Sequence, residues 1–340
     1  MSKLRNQAAF FERYNIKEDE FEKTELTWEM LSEIYADYAK RISNLEDVAA
    51  SLFRSLSKME HVHSVRYRIK NAEHLIEKII RKKIENPERE ITVGTYLTEI
   101  TDLIGIRVLH LFKDEWSAIH QNILNTWDLK EQVVAYYRTG DDIRVFEENA
   151  CTPKEHRSGY RSIHYTIKCQ LTKLETYAEV QVRTIFEEAW SEIDHTVRYP
   201  YDMDNPLLGQ YLLIFNRLAG SADEMGSFIL NLRNYFRKIQ EENQKINQEK
   251  EKATQQLQET INQLKISDKE KKNLERKLNL IQQSEISTRF RKKPDPMPWM
   301  KAYNSFDNIL KAMERVNLAS KFFDDFEETP EVSSKKEIKK

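Results

Sequence analysis

Asp102 to Phe112 reads DLIGIRVLHLF, a short apolar run rich in β-branched residues that opens on a carboxylate. Its length and composition predict a buried strand rather than a helix. Downstream, AYYRTGDDIRVFEE (135–148) carries Thr139, Gly140, Asp141 and Asp142 at its middle, which predicts a β-hairpin around a glycine-bearing turn. SIHYTIKCQ (162–170) and TYAEVQVRT (176–184) alternate and give two further strands. A helix is expected from about Ile185 to Val197. Strands flanked by helices define an α+β, α/β-like domain with a mixed sheet, ending near 200–206.

Working outward, the N-terminal side is helical. Trp28, Leu31, Ile34, Tyr35, Tyr38, Ile42, Leu45, Ala49 and Leu52 recur at three- and four-residue spacing and form a core-facing stripe. A second helix covers Ala72 to Arg81. On the C-terminal side, 207–236 is densely apolar at helical spacing. With Ile239 at heptad position d, one unbroken register runs to Ile281, and eight of its thirteen a/d sites are apolar. A coiled coil or helical hairpin is expected there, with a lone solvated helix as the competing reading. RKKPDPMPWM (291–300) breaks the pattern, an amphipathic helix covers about 303–323, and a Lys-rich end is expected to be disordered. The resulting divisions are 1–58, helical; 59–206, the mixed domain; 207–290, an all-helical coiled-coil extension; 291–330, a last helix; and 331–340, a tail.

Composition excludes several functions. The 340 residues include only seven glycines, about 2 % against the roughly 7 % usual in proteins. No GxG pair and no GxxxxGK loop is present, so any phosphate must be held by side chains rather than by a glycine-rich backbone nest. Lys and Arg total 54 against 56 Asp and Glu, a formal charge of −2, so a basic surface can only be local. Cys151 and Cys169 form neither a zinc knuckle nor a disulfide framework. No signal peptide and no membrane-spanning apolar run is seen, which makes the cytoplasm the expected compartment and a membrane partner unexpected.

One basic patch stands out. Ser64 to Lys83 holds seven Lys or Arg against two Glu, net +5. Lys70, His74 and Lys78 fall at i, i+4 spacing, so on one helix they would share a face able to grip a polyphosphate, with Arg68 just upstream as a forked donor. Two carboxylates sit where ionised groups are costly: Asp102 at the head of an apolar strand, and Glu179 inside the alternating AEVQVR. Ion pairs with Arg107 or Arg183 would account for them, and so would a hard-cation site. In Ser158-Gly159-Tyr160-Arg161-Ser162-Ile163-His164, a glycine precedes an aromatic at the mouth of a strand. The ring could stack on a base or pack in the core. Ser162 and His164 lack a GxSxG elbow, which argues against a hydrolase.

RYRIK (66–70) with LIEKIIRK (75–82), then TDLIGIRV (101–108), PKEHRSGYRSIHY (153–165) and AEVQVRTIFEEAWSEIDHTVRYP (178–200), resemble in order the synthetase domain of the RelA/SpoT homologue family. The resemblance covers about 59–200, and the chain looks like a small, synthetase-only alarmone synthetase. It implies a nucleotidyltransferase-like fold and transfer of pyrophosphate from ATP to the 3′-hydroxyl of GDP or GTP, giving ppGpp or pppGpp and AMP with Mg²⁺ as cofactor. By the same resemblance Arg68, Lys70, His74, Lys78 and Arg107 hold ATP. Asp102 binds the metal, and Glu179 assists it or activates the hydroxyl. Tyr160 stacks on the acceptor guanine, and Lys154, Arg161, His164, Gln181 and Arg183 lie around the acceptor and phosphates.

Three departures stand beside it. His74 occupies the family's usual Ser position. The loop from Lys154 to Gly159 is longer than the family's, and no His is followed by Asp, so a metal-dependent hydrolase half has no counterpart. Two alternatives remain. One is a toxin-like pyrophosphokinase acting on the tRNA 3′ end or an adenine nucleotide, with Arg66, Arg81, Lys82 and Lys83 along a nucleic-acid backbone. The other is an inactive coiled-coil scaffold. The segment 239–281 would serve a homo-oligomer or a protein partner.

Overall fold

The computed structural model describes residues 4–170, 175–198, 206–264 and 267–284. In chain order the elements are α1 (Gln7–Tyr14), α2 (Glu18–Glu22), α3 (Trp28–Leu56), β1 (Ser64–Ile69), α4 (Ala72–Glu85), α5 (Tyr96–Glu99) and β2 (Ile104–His110). A 3-10 turn at Lys113–Glu115 leads into α6 (Trp116–Thr126). Then come β3 (Val134–Tyr137), α7 (Arg144–Glu148), β4 (Thr152–Glu155), β5 (Ser162–Cys169), β6 (Thr176–Thr184), α8 (Ile185–Arg198), α9 (Pro206–Gln263) and α10 (Asp268–Ser284). The strands form one six-stranded mixed sheet in the order β1-β2-β6-β5-β3-β4. Pairs β2–β6 and β3–β4 are parallel; β1–β2, β5–β6 and β3–β5 are antiparallel. The expected mixed sheet between helices is what the chain forms.

Side-chain alternation divides this sheet into two faces. Ile104, Ile106 and Val108 on β2, Ala178, Val180 and Val182 on β6, and Ile163, Tyr165 and Ile167 on β5 point to one side and are buried. They join Leu31, Ile34, Tyr38 and Leu52 of α3, Leu75, Ile76 and Ile79 of α4, and Ile119 and Ile123 of α6 in one core. The stripe read from the sequence is therefore the inner face of α3. Its first turn is capped by Thr27, whose hydroxyl accepts from the Met30 N–H at 3.2 Å. Each Leu or Ile buried here contributes roughly 1.5–3 kcal/mol.

The structure corrects two local expectations and adds detail to a third. No hairpin forms around Gly140: the turn is present, but the chain then enters α7 and returns as β4, parallel to β3. Asp142, just before the helix, accepts from the Arg144 N–H at 3.1 Å, a local turn contact that bends the chain into α7 where a second arm was expected. The basic segment is not one helix. SVRYRI alternates and forms β1, and Asn71 caps α4 by accepting from the Glu73 N–H at 2.8 Å, so Lys70 lies before the helix. The heptad register from 239 to 281 spans two helices, α9 and α10, with Ser267 and Glu270 in side-chain contact at the start of the second.

The chain separates into two compact units, Met1–Arg233 and from Asn234 onward. The first stretch of α9 belongs to the first unit, where Trp190 Nε1 donates to Leu212 O at 2.9 Å and Thr184 Oγ1 donates to Asp223 at 2.9 Å. In the second unit Ile261 and Leu278 are buried, while Ile246, Leu257 and Leu274 are exposed. The proline-rich break, the last helix (303–323) and the Lys-rich tail lie outside the described residues, as does most of the expected boundary at 200–206. Among the described residues no helix is long and apolar enough to cross a membrane.

Candidate active site

The register that buries the apolar face gathers polar residues on the other. Arg68 stands opposite Gly105, Gly105 opposite Glu179, and Glu179 opposite Thr166. One pair along, Arg66 faces Arg107, Arg107 faces Gln181, and Gln181 faces His164. A cleft of about 200 Å³ opens here, lined by Arg66, Arg68, Gly105, Arg107, Glu179 and Gln181 among others. Arg68 thus comes from a strand, not from the basic helix.

Lys70 and Lys78 converge from the end of β1 and from α4 onto one oxygen of Asp102. Their ammonium groups lie 2.8 and 2.6 Å from Oδ2. The backbone of Lys70 is fixed on both sides: its N–H donates to Leu103 O at 2.9 Å, and its carbonyl accepts from the Tyr38 hydroxyl at 2.7 Å. Burial would push the Asp102 carboxyl up. The charges of Lys78 and Lys70, with their hydrogen bonds, outweigh it and hold the group below the usual carboxylate range. Asp102 Oδ1 is buried with no hydrogen-bond partner.

Glu179 sits in a line of polar contacts across the same face. Tyr160 Oη lies 3.0 Å from His164 Nε2, and His164 Nδ1 lies 3.4 Å from Glu179 Oε1. Gln181 donates to Glu179 at 3.0 Å, and Arg183 donates to Gln181 at 2.8 Å. Burial raises the Glu179 carboxyl, but the His164 contact more than offsets this, so it too is held low. The Tyr160 ring is flanked by Tyr136, His156 and His164, with the Arg183 guanidinium 5.5 Å from its centroid.

The ion pairs that could have explained both carboxylates are not formed. Arg107 engages Glu188 (3.0 Å) and Glu192 on α8, and Arg183, fully buried, lies 2.9 Å from Glu188. Asp102 and Glu179 are paired instead with lysines and with a histidine. Glu188 and Glu192 escaped the sequence reading, although their i, i+4 spacing directly after β6 was the available signal. His74 is exposed and meets the Tyr14 ring edge-on at 5.7 Å. Lys154 is exposed, with its ammonium 5.6 Å from the Tyr136 ring. Arg161 is not brought to the cleft: it is buried and forms a forked pair with Asp141, both contacts 2.6 Å. Two of the cations considered for a nucleic-acid backbone are committed to carbonyls of the fold, Lys82 to Glu99 O at 3.0 Å and Lys83 to Pro87 O at 2.6 Å.

The cleft face of the mixed sheet thus carries Arg66, Arg68, Arg107 and the half-buried Glu179, and Asp102 with its two lysines stands just before β2. Residues 67–204 match the family described as "Region found in RelA / SpoT proteins", and the chain carries that region. It is 28 % identical over 160 residues to the GTP pyrophosphokinase YwaC of Bacillus subtilis, covering 46 % of this chain. It is 27 % identical over 161 residues to the GTP pyrophosphokinase YjbM of the same organism, covering 45 %. The chain spans 66 % of the length of each of these relatives. Among solved structures, the small alarmone synthetase 1 of Bacillus subtilis is similar with a TM-score of 0.43 at 21 % identity, over 59 % of this chain and 95 % of that one.

Proposed function

We propose that this chain is a Mg²⁺-dependent pyrophosphotransferase that moves the terminal pyrophosphate of ATP to the 3′-hydroxyl of GDP or GTP. What supports this most is Asp102: one oxygen is saturated by Lys70 and Lys78, and the other is buried and unpartnered. A buried carboxylate oxygen held ionised and left without a donor is what a hard cation needs. Mg²⁺ takes one or two protein carboxylates and completes its shell with phosphate oxygens and water. Asp102 would hold it, with Glu179 as the second carboxylate; when bound, it neutralises phosphate charge and aligns the in-line displacement.

The chain's own residues account for the rest. Lys70, Lys78, Arg68 and Arg107 supply cationic donors for the triphosphate, which lowers the cost of bringing an anionic donor to a nucleotide acceptor. Glu179, ionised at neutral pH, takes the proton of the 3′-hydroxyl as its oxygen bonds to the β-phosphorus. The bond from that phosphorus to the oxygen bridging the α-phosphate breaks, and AMP leaves with that oxygen. Tyr160, fixed by His164 and Arg183, offers its ring to the acceptor base, with Lys154 and Gln181 nearby. With ATP and GDP or GTP as substrates, this reading assigns the protein to the cytoplasm.

The test is release of AMP from ATP with GDP, GTP, further ATP or deacylated tRNA as acceptor. Turnover stimulated by GDP or GTP is expected. Turnover on tRNA alone would replace this reading with the toxin-like one, against which the internal bonds of Lys82 and Lys83 already weigh. No AMP with any acceptor would leave the scaffold reading.

A further inference from the structure

The loop that presents Tyr160 does not support itself. Gly159 has φ +79°, a left-handed conformation, and its N–H donates to His156 O at 2.9 Å in a tight turn. The next element against it is α9. Asn216, 3 % exposed, donates from Nδ2 to Gly159 O at 2.8 Å and accepts at Oδ1 from Arg138 at 3.3 Å. The fit is close enough that a Cβ on Gly159 would stand 2.9 Å from Asn216 Oδ1. On the other side of Tyr160, Arg161 is clamped by Asp141, and its guanidinium lies against Gly220 of α9, where a Cβ would come within 2.8 Å of it. Both neighbours of Tyr160 are therefore seated on one helix, four residues apart on the same face. This lies outside the region matched at 67–204.

We infer that Asn216 is a positioning residue for acceptor recognition, with Gly220 as its steric counterpart. Asn216 fixes the Gly159 carbonyl, and Gly220 makes room for Arg161. Between these two anchors the Tyr160 ring has one orientation, set toward Tyr136, His164 and Arg183. A ring held in place before the base arrives costs less order on binding than one that must be fixed by it. The helix that composition assigns to the C-terminal extension thus furnishes part of the acceptor site. The inference rests on the pyrophosphotransfer reading for the identity of the acceptor, but not for the holding of the loop.

The full-length chain and its Asn216→Ala and Gly220→Ala variants decide it through two readouts. In steady state with GDP, each variant is expected to raise the acceptor KM about tenfold while the ATP KM stays within about twofold. Equal changes in both constants, or none, overturn the inference, because a helix that merely stabilised the fold would not choose between substrates. Hydrogen exchange is expected to quicken at 157–162 in both variants while 75–80 in α4 keeps its wild-type protection; unchanged exchange in the loop also overturns it. Gly220→Ala keeps the test open if Asn216→Ala does not fold, since alanine favours the helix and its Cβ presses first on the Arg161 guanidinium. A wild type that transfers to no acceptor overturns the reaction, and the exchange measurement then still decides whether Asn216 holds the loop.

Discussion

His164 Nδ1 stands 3.4 Å from Glu179 Oε1, and this contact helps hold the half-buried carboxylate in its ionised form. Burial alone would push Glu179 up; the imidazole's hydrogen bond and charge bring it down. Removing the ring takes away the strongest influence opposing burial and leaves the weaker charge of Lys78 against it. In His164→Ala, the acid limb of the pH profile of kcat/KM is therefore expected to move upward, with activity at pH 6 falling more than at pH 8. A limb that stays in place would show that Glu179 is not the titrating base.

Asp102→Asn is expected to lower kcat by roughly 10²–10³-fold or more, the scale of losing one preorganised charge at a reacting phosphate. The same change leaves Lys70 and Lys78 facing a neutral amide, so thermal stability should fall as well. A variant with normal turnover at saturating Mg²⁺ would remove Asp102 from the metal site.

Asp223 gives the fold a pH dependence of its own. It is fully buried on α9 and accepts from Thr184, while burial and the charge of Glu187 push it up to about 7, against the nearby cations Lys113 and Arg161. A carboxyl whose folded pKa is raised binds more protons folded than unfolded. Its contribution is therefore complete below about pH 4 and is lost as pH rises through 7. Asp223→Asn should flatten that decline, making the variant the more stable of the two at pH 8 by about 1–2 kcal/mol. Denaturant melts at pH 5.5 and pH 8 check this; parallel curves for the two proteins would refute it.

Gly159→Ala combines a left-handed φ of +79° with a Cβ 2.9 Å from Asn216 Oδ1. The conformational term alone is about 1–2 kcal/mol. A drop in stability of at least that size is expected, measured by urea unfolding, together with weakened acceptor binding. Gly140→Ala, whose φ is +91° but whose surroundings are open, should show only the conformational part.

Much of the site was legible because its chemistry contradicts its setting. Asp102 and Glu179 are carboxylates in apolar stretches, and such placements need a partner or a purpose. The core stripe of α3 and the strands β5 and β6 were equally plain from periodicity, and β2 from its short apolar, β-branched run. Partners were harder. Lys70 looked helical because i, i+4 spacing continues across Asn71, whose capping bond ends the strand and begins the helix between two candidate ligands. The turn at Gly140 was visible, but the side chain that converts its second arm into α7 acts over two residues and leaves no periodic trace. Arg161 and Asn216 could not be assigned from spacing at all, since Asn216 meets Gly159 from 57 positions away.

α9 belongs to two accounts of the chain at once. By composition it is the start of a long helical tail, and the matched region stops at 204, before it begins. By contact, Asn216, Gly220 and Asp223 are part of the first compact unit, the one that holds the sheet. A chimera grafting 67–204 onto another protein would therefore carry over Lys70, Lys78 and both carboxylates but leave the loop around Tyr160, the proposed acceptor side, without its backing. Its defect should be in substrate choice before it is in chemistry.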